Sequence, residues 1–350
     1  MKVGAFLSTT HFPQQTYEEV FDSALAYAQT AERLGYDTVW VNEHHFIRFG
    51  TCSSSLTMAG FLLGRTTRIR IGTAVVLVPL HHPIEVAEQA ALLDQLSGGR
   101  LDLGLGRGAY PRDLAAFSCP VEKTQQAMFE NVDVMLQAWT KETVGLESDL
   151  RRFPPVSVTP KPRTRPHPPV YIAASSPNTI TWAARLGLPM LLIWQLSVEE
   201  MAGQVERYAQ IAAEAGHDPT TIAHVASGIG HVADSQEEAE RAVTDNIVWW
   251  YEVGHAAGSH EELAQYEGYR YLYDQARAQS LASPQEMARR ALEVNPIGTP
   301  GHCRAWLQEV RERTGIRRFA LFMDLAAQRE LVEENLERFA YEVVGSASSL

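Results

Sequence analysis

The chain alternates between short, nearly continuous apolar runs and longer segments whose apolar residues recur every three to four positions. The first run, KVGAFLS, leads into TYEEVFDSALAYAQTAERLG, where Thr16 and Glu19 stand at capping-box spacing and Gly35 supplies a left-handed stop. DTVWV is a second strand, followed by a helix from Leu56 to Gly64. RIRIGTAVVLV is a third, followed by HPIEVAEQAALLDQLSGG with Pro83 in its first turn. RLDLGLG and VEKTQQAMFENVDVMLQAW make the fourth pair. A Pro-rich interval from Arg151 to Pro169 reads as an irregular or hairpin excursion, after which PVYIAA and SSPNTITWAARLG resume the alternation. LPMLLIW is the sixth strand, with a helix opened by Ser197 and Glu200; IAHVASGIGHVA is the seventh, with a helix opened by Ser235 and Glu238. A Tyr- and Gln-rich stretch of weak pattern runs from about His255 to Asn295. A helix begins at Thr299 and Pro300, RRFALFM is the eighth strand, and a helix from Arg329 to Val344 closes the chain.

Strands that are apolar throughout are covered on both faces, and eight of them, each followed by a helix, predict an α/β fold of the (β/α)8 TIM-barrel type with insertions. An open doubly wound sheet is the structural rival, but it does not need eight units. Residues 1–350 are read as one barrel domain, with a lid-like insertion at about 255–295. In such a barrel the chemistry sits on the loops after the strand ends. Glu43, His44 and His45, the loop from Arg107 to Phe117, the residues after Ala174, and Trp194 then share one rim.

Composition narrows the partners. The formal net charge is -12, from 42 acidic and 30 basic side chains, a field that repels phosphate backbones and anionic lipid surfaces; neither nucleic acid nor membrane is expected. Cys52, Cys119 and Cys303 form no CxxC pair, and MKVGAFLS is too short for a signal peptide, so a reducing, cytoplasmic location is expected.

Three features point to chemistry. AASSPNT places Ser176 at a helix N-cap and Pro177 at the first helical position, leaving free N–H groups and the hydroxyls of Ser175, Ser176 and Thr179 for an anion. Arg107, in GLGRGAY, leaves the fourth strand among glycines that let a ligand approach the backbone. His44 and His45 point to opposite sides of an extended segment, so only one faces the mouth; no HxH or HExxH spacing exists, no metal is expected, and there is no GxSxG elbow. A rim histidine beside a carboxylate suits general acid or base work. The aromatics Trp194, Phe46, Phe49, Tyr110 and Phe117 are core plugs taken singly, but as a set near a phosphate site they fit a planar cofactor such as FMN.

With these residues in view, the chain resembles the bacterial luciferase-like flavin-dependent monooxygenases, most of all their α-subunit branch. The matching stretches are GYDTVWVNEHHFIRFG, IGTAVVLVPLHHPIEVAEQAALLDQLSGGR, RGAYPRDLAAF, PVYIAASSPNTITWAARLGLPMLLIW and EVNPIGTP, in order over most of the chain. The resemblance implies a barrel that takes reduced FMN (FMNH2) from a separate flavin reductase and reacts it with O2 to a C4a-peroxyflavin that oxygenates a small organic substrate. It implies His44 as the catalytic acid or base, and Arg107, Ser176 and Thr179 on the flavin phosphate. It further implies a non-prolyl cis peptide at Ala74 and Val75 behind the ring, a homodimer through the helices after strands two and three, and a lid from about Gly258 to Arg290. Ser175 and Trp194 are expected on the cofactor, and Glu43, His45, Tyr110 and Phe117 around the substrate pocket. Three positions depart from the family. Gln125 stands where a second phosphate-binding arginine is expected, Ser175 where a glutamate is, and Gly106 where a cysteine lies under the flavin, a change expected to open space at the reactive face. Rival readings are an F420-dependent oxidoreductase of the same fold and a non-catalytic flavin-binding protein.

Overall fold

The computed structural model describes residues 1–257, 264–266, 269, 270, 274 and 283–345. Eight parallel strands, β1 (Lys2–Leu7), β2 (Thr38–Val41), β3 (Arg70–Leu77), β4 (Leu101–Gly106), β7 (Val170–Ala173), β8 (Met190–Leu192), β9 (Val225–Ile229) and β12 (Arg318–Phe322), close into a barrel. β1 pairs with both β2 and β12, which seals the cylinder. The helices that cover it are α1 (Tyr17–Leu34), α2 (Ser55–Leu63), α3 (Pro83–Ser97), α4 (Pro111–Ala116), α5 (Thr124–Thr140), α6 (Pro177–Arg185), α7 (Val198–Glu214) and α8 (Gln236–Ala257), then Pro284–Val294, Pro300–Thr314 and Arg329–Arg338. The expected caps form: Thr16 with Glu19 and Ser197 with Glu200 close capping boxes, and Gly35 ends α1 at φ 83°.

Four differences from the sequence pattern have local causes. The Pro-rich interval is indeed a hairpin, but it starts earlier, with β5 (Val144–Glu147) against β6 (Arg152–Val156). The seventh strand breaks at Gly230, and the two residues of β10 (His231–Val232) leave the barrel to pair with β11 (Ile297–Gly298). Within the weakly patterned stretch, Ser283 and Glu286 close a capping box on the helix Pro284–Val294, a signal readable in Ser-Pro-Gln-Glu. The closing helix is α-helical only over Arg329–Arg338 and widens into a π-helical turn from Phe339 to Val344. Most of the expected lid lies outside the described residues.

The lower half of the barrel is filled. Trp40 on β2 is 1% exposed and projects across the interior, where glycines on both flanking strands make room for it. A Cβ on Gly4 would sit 2.7 Å from Trp40 Nε1, and one on Gly72 would overlap the indole itself. Tyr171 meets the ring edge-on at 5.6 Å. Below this plug, at the N-terminal ends of the strands, Arg70 grips Asp102 with two hydrogen bonds of 3.0 and 2.7 Å. Arg318 bonds both Asp102 and Asp37 at 3.0 Å, and Lys2 lies 3.1 Å from Asp37. Asp102 is fully buried and holds two guanidinium groups, so removing it leaves Arg70 without a carboxylate partner and Arg318 with Asp37 alone. Asp102→Ala is expected to lower unfolding free energy by about 3 kcal/mol, read from urea denaturation; a loss below about 1 kcal/mol would show the floor to be dispensable.

Candidate active site

The end of β2 divides its side chains between two environments. Glu43 turns into the layer between barrel and helices, where its carboxylate accepts from Ser55 N (3.1 Å), Ser55 Oγ (2.8 Å), Leu77 N (3.3 Å) and His81 Nε2 (2.6 Å). Burial works to raise the Glu43 pKa, but His45, His81 and Ser55 outweigh it and hold the carboxyl far below the usual carboxylate range. His81 is raised in turn, because Glu43 overrides the cost of its own burial. Glu43 and the half-buried His81 form an ion pair at 2.6 Å.

His44 points the other way, into the barrel mouth. Its amide donates to Cys52 O at 2.9 Å, its ring meets Phe49 and Tyr110 edge-on at 4.9 and 5.9 Å, and its Nδ1 has no hydrogen-bond partner. Burial lowers its pKa to about 4, against the pull of Glu43, so the imidazole is neutral at ordinary pH. Gly50 lets the loop close over it, since a Cβ there would come within 2.5 Å of His44 Cδ2 and 2.6 Å of Asn42 Nδ2.

Above the Trp40 plug a cavity of about 390 Å³ opens at the C-terminal ends of the strands. Of the residues expected at the site, His44, Ala74, Val75, Gly106, Arg107, Tyr110, Ser175, Thr179 and Trp194 line it. The Ala74–Val75 peptide is cis, where β3 shifts register against β4. Glu43, His45 and Phe117 do not line the cavity, which corrects their expected place in a substrate pocket. Strand alternation sends Glu43 and His45 outward, and the chain reverses at Phe46 (φ 57°), leaving Phe46 and Phe117 60% and 43% exposed against His45. Ser176 is also absent from the lining. It is buried as the N-cap of α6, its hydroxyl engaged with Thr179 N (3.2 Å) and Thr179 Oγ1 (2.8 Å).

Gly106 does not open space. A Cβ at that position would overlap Val75 Cγ2, so the valine side chain already fills the volume above it. Gln125, likewise, stays out of the cavity, its Nε2 buried without a partner.

At one end of the cavity Arg107 stacks over Tyr269 at 3.8 Å, with Nη1 buried and bonded to nothing among the described residues. Tyr269 is fixed beneath it by Gly108 O at 2.9 Å and Thr124 Oγ1 at 3.0 Å. This cation, the Ser175 and Thr179 side chains and the α6 N-terminus form an anion cradle. A guanidinium with an unpaired, buried Nη1 in the same cavity as a helix start fits a phosphate, and the apolar walls fit a flat ring, so the residues present suit FMN. The opposite wall is aromatic: Trp194 and Trp250 at 6.0 Å, Tyr251 5.8 Å from Trp194, and Phe6 stacked on Phe322 at 3.9 Å. Sequence reasoning missed Tyr269, Trp250 and Tyr251. The WWY triplet at 249–251 was the available signal. It also missed Asp113 on α4, a buried carboxyl pushed up to about 6 by burial against the lowering effect of His45 and Arg112.

Comparison with known proteins bears on the family and the fold. Residues 1–318 match the family model described as luciferase-like monooxygenase. The alkanal monooxygenase alpha chain of a Kryptophanaron alfredi symbiont is 32% identical over 348 residues, covering 98% of each chain. Among solved structures, monooxygenase RslO1 from Streptomyces bottropensis superposes with a TM-score of 0.80 at 28% identity, covering 98% of both chains. The oxygenating constituent of 3,6-diketocamphane monooxygenase from Pseudomonas putida, solved with FMN, shares the fold at a TM-score of 0.75 and 20% identity, over 98% of this chain and 97% of that one. The barrel, the cavity at its C-terminal mouth and these matches together establish that the chain belongs to the luciferase-like monooxygenase family and is an oxidoreductase of that kind.

Proposed function

We propose that the protein is an FMNH2-dependent, two-component monooxygenase that uses O2 to oxygenate a small organic substrate. The observation that carries this reading is the presence, in one cavity, of Arg107, whose Nη1 has no partner among the described residues, and of a neutral His44 with an unpartnered Nδ1. The reduced flavin, when bound, supplies the electrons that put one oxygen atom into product and the other into water. The chain's own part is to hold and shelter. Arg107, Ser175, Thr179 and the α6 N-terminus would hold the phosphate, while Ala74, Val75 and Gly106, which line the same cavity, would support the ring. Trp194, Tyr110 and the other aromatic walls exclude water from the reacting centre. His44, whose imidazole is neutral at rest, takes a proton from the substrate side, becoming a transient cation, and returns it. A separate flavin reductase is the proposed source of reduced cofactor. The proposed homodimer joins through α2 and α3, whose Phe61, Leu92 and Leu96 are 47%, 47% and 75% exposed.

The reading is tested by supplying FMNH2 with 18O2 to the protein and a library of aldehydes, ketones and aromatic compounds. One labelled oxygen per product is expected; hydride transfer from reduced F420 with no label incorporated would replace it with the dehydrogenase reading. Arg107→Ala is expected to weaken anaerobic FMNH2 binding about 10- to 100-fold, the worth of a hydrogen bond to a charged group, while leaving the thermal midpoint unchanged. For His44 the sign is set by its lowered pKa: protonation is opposed down to about pH 4, so turnover should hold between pH 5 and 8 as far as this group governs it and fall near pH 4. A loss centred at the ordinary histidine value of about 6.5 would assign the titration elsewhere.

A further inference from the structure

Behind the aromatic wall lies a carboxyl with no part in the chemistry described so far. Asp324, just past the end of β12, is buried at the barrel rim. Its Oδ2 lies 2.7 Å from Ser8 N and 2.8 Å from Ser8 Oγ. Ser8 Oγ is 2.7 Å from Thr10 Oγ1, which is 2.7 Å from the carbonyl oxygen of Phe49 and accepts from Trp250 Nε1 at 2.8 Å. Phe49 and Trp250 both line the cavity.

The chain can be counted in protons. Three oxygen-to-oxygen links join Asp324 Oδ2, Ser8 Oγ, Thr10 Oγ1 and Phe49 O, and each needs one hydrogen. Two hydroxyls supply two, and the Phe49 carbonyl supplies none. An ionised Asp324 is acceptor only: Ser8 then donates to it, and Thr10 must choose between Ser8 and Phe49. A protonated Asp324 donates to Ser8, Ser8 to Thr10, and Thr10 to Phe49, so every link is filled and Thr10 still accepts from Trp250. We propose that Asp324 is a positioning residue whose carboxyl proton completes this hydroxyl chain and so sets Trp250 and the Phe49 segment in the cavity wall.

The surroundings support a proton there. Burial raises the Asp324 carboxyl to about 6, against the lowering effect of the Ser8 contacts and of the backbone at Asp324 and Thr9. A water-sized hollow lined by Thr9, Gln15, Ser23 and Tyr27 adjoins it. Tyr27 on α1 is the ionisable neighbour across that hollow, with Arg329 and Glu333 acting on it from the last helix; burial raises the tyrosine, which keeps its own proton throughout the relevant range.

The inference rests on the proposed function only in taking this cavity as the active site, and its test needs no flavin. With 5-fluorotryptophan incorporated, the Trp250 fluorine resonance is identified by its loss in Trp250→Phe and followed from pH 5 to 8. In the otherwise unmodified protein it is expected to shift with a midpoint near pH 6. In Asp324→Asn, whose amide oxygen accepts from Ser8 N and Ser8 Oγ at every pH, it should hold its high-pH position, and Ser8→Ala, which leaves Thr10 only the Phe49 carbonyl to donate to, should abolish the titration. A Trp250 resonance that does not titrate, or one that titrates unchanged in the folded variants, overturns the proposal; should Asp324→Asn not fold, Ser8→Ala alone decides it. If the fluorine titration appears as expected while the 18O label fails to enter any product, the proposed reaction fails and the positioning chain stands.

Discussion

The Glu43 carboxylate is the constraint on which the site depends. It lies just past β2 and takes hydrogen bonds from the first residue of α2, from the end of β3 and from His81 beyond β3, so it pins two consecutive barrel units to one point. A buried charge is tolerated only when its acceptor sites are filled, and here four donors fill them. Because Glu43 is locked outward, strand alternation leaves His44 one direction, inward. The orientation of the proposed acid or base is thus fixed by a residue that never enters the cavity.

The same division explains what was legible in the sequence. Apolar runs and caps encode the strands and helices directly, so the eight units, the α6 N-cap at Ser176 and the rim position of His44 could be read one after another. The alternation argument separated His44 from His45 and was right in kind. The outward turn at Phe46 was not legible, because a positive φ in a non-glycine residue is imposed by its surroundings rather than announced by composition. Gly106 shows the other limit. Removing a side chain suggests a void, but whether a void exists depends on the neighbour across the strand, and Val75 fills it. Tyr269 and Trp250 come from segments far along the chain, and only the closed barrel brings them to Arg107 and the aromatic wall.

Charge is distributed on a similar plan. At the N-terminal end of the barrel the aspartates and arginines satisfy one another in a network, whereas at the C-terminal end Arg107 has an aromatic face beneath it and nothing anionic among the described residues bonded to it. Stacking on Tyr269 offsets part of the desolvation of the guanidinium without neutralising it. The cation therefore remains available for an incoming anion even though the protein as a whole carries -12.

The Trp40 plug has a consequence for the order of events. Indole, flanking glycines and the ion network below them leave the barrel solid, so the cavity is a cup rather than a tunnel. Whatever reacts at its base enters and leaves on the side of the strand C-termini, past Arg107 and the aromatic wall. A bulky tenant with an anionic tail, seated first, then occupies much of the route by which a second molecule arrives. Traffic through such a cup is sequential by geometry, and a small, uncharged gas is the reactant least impeded by it.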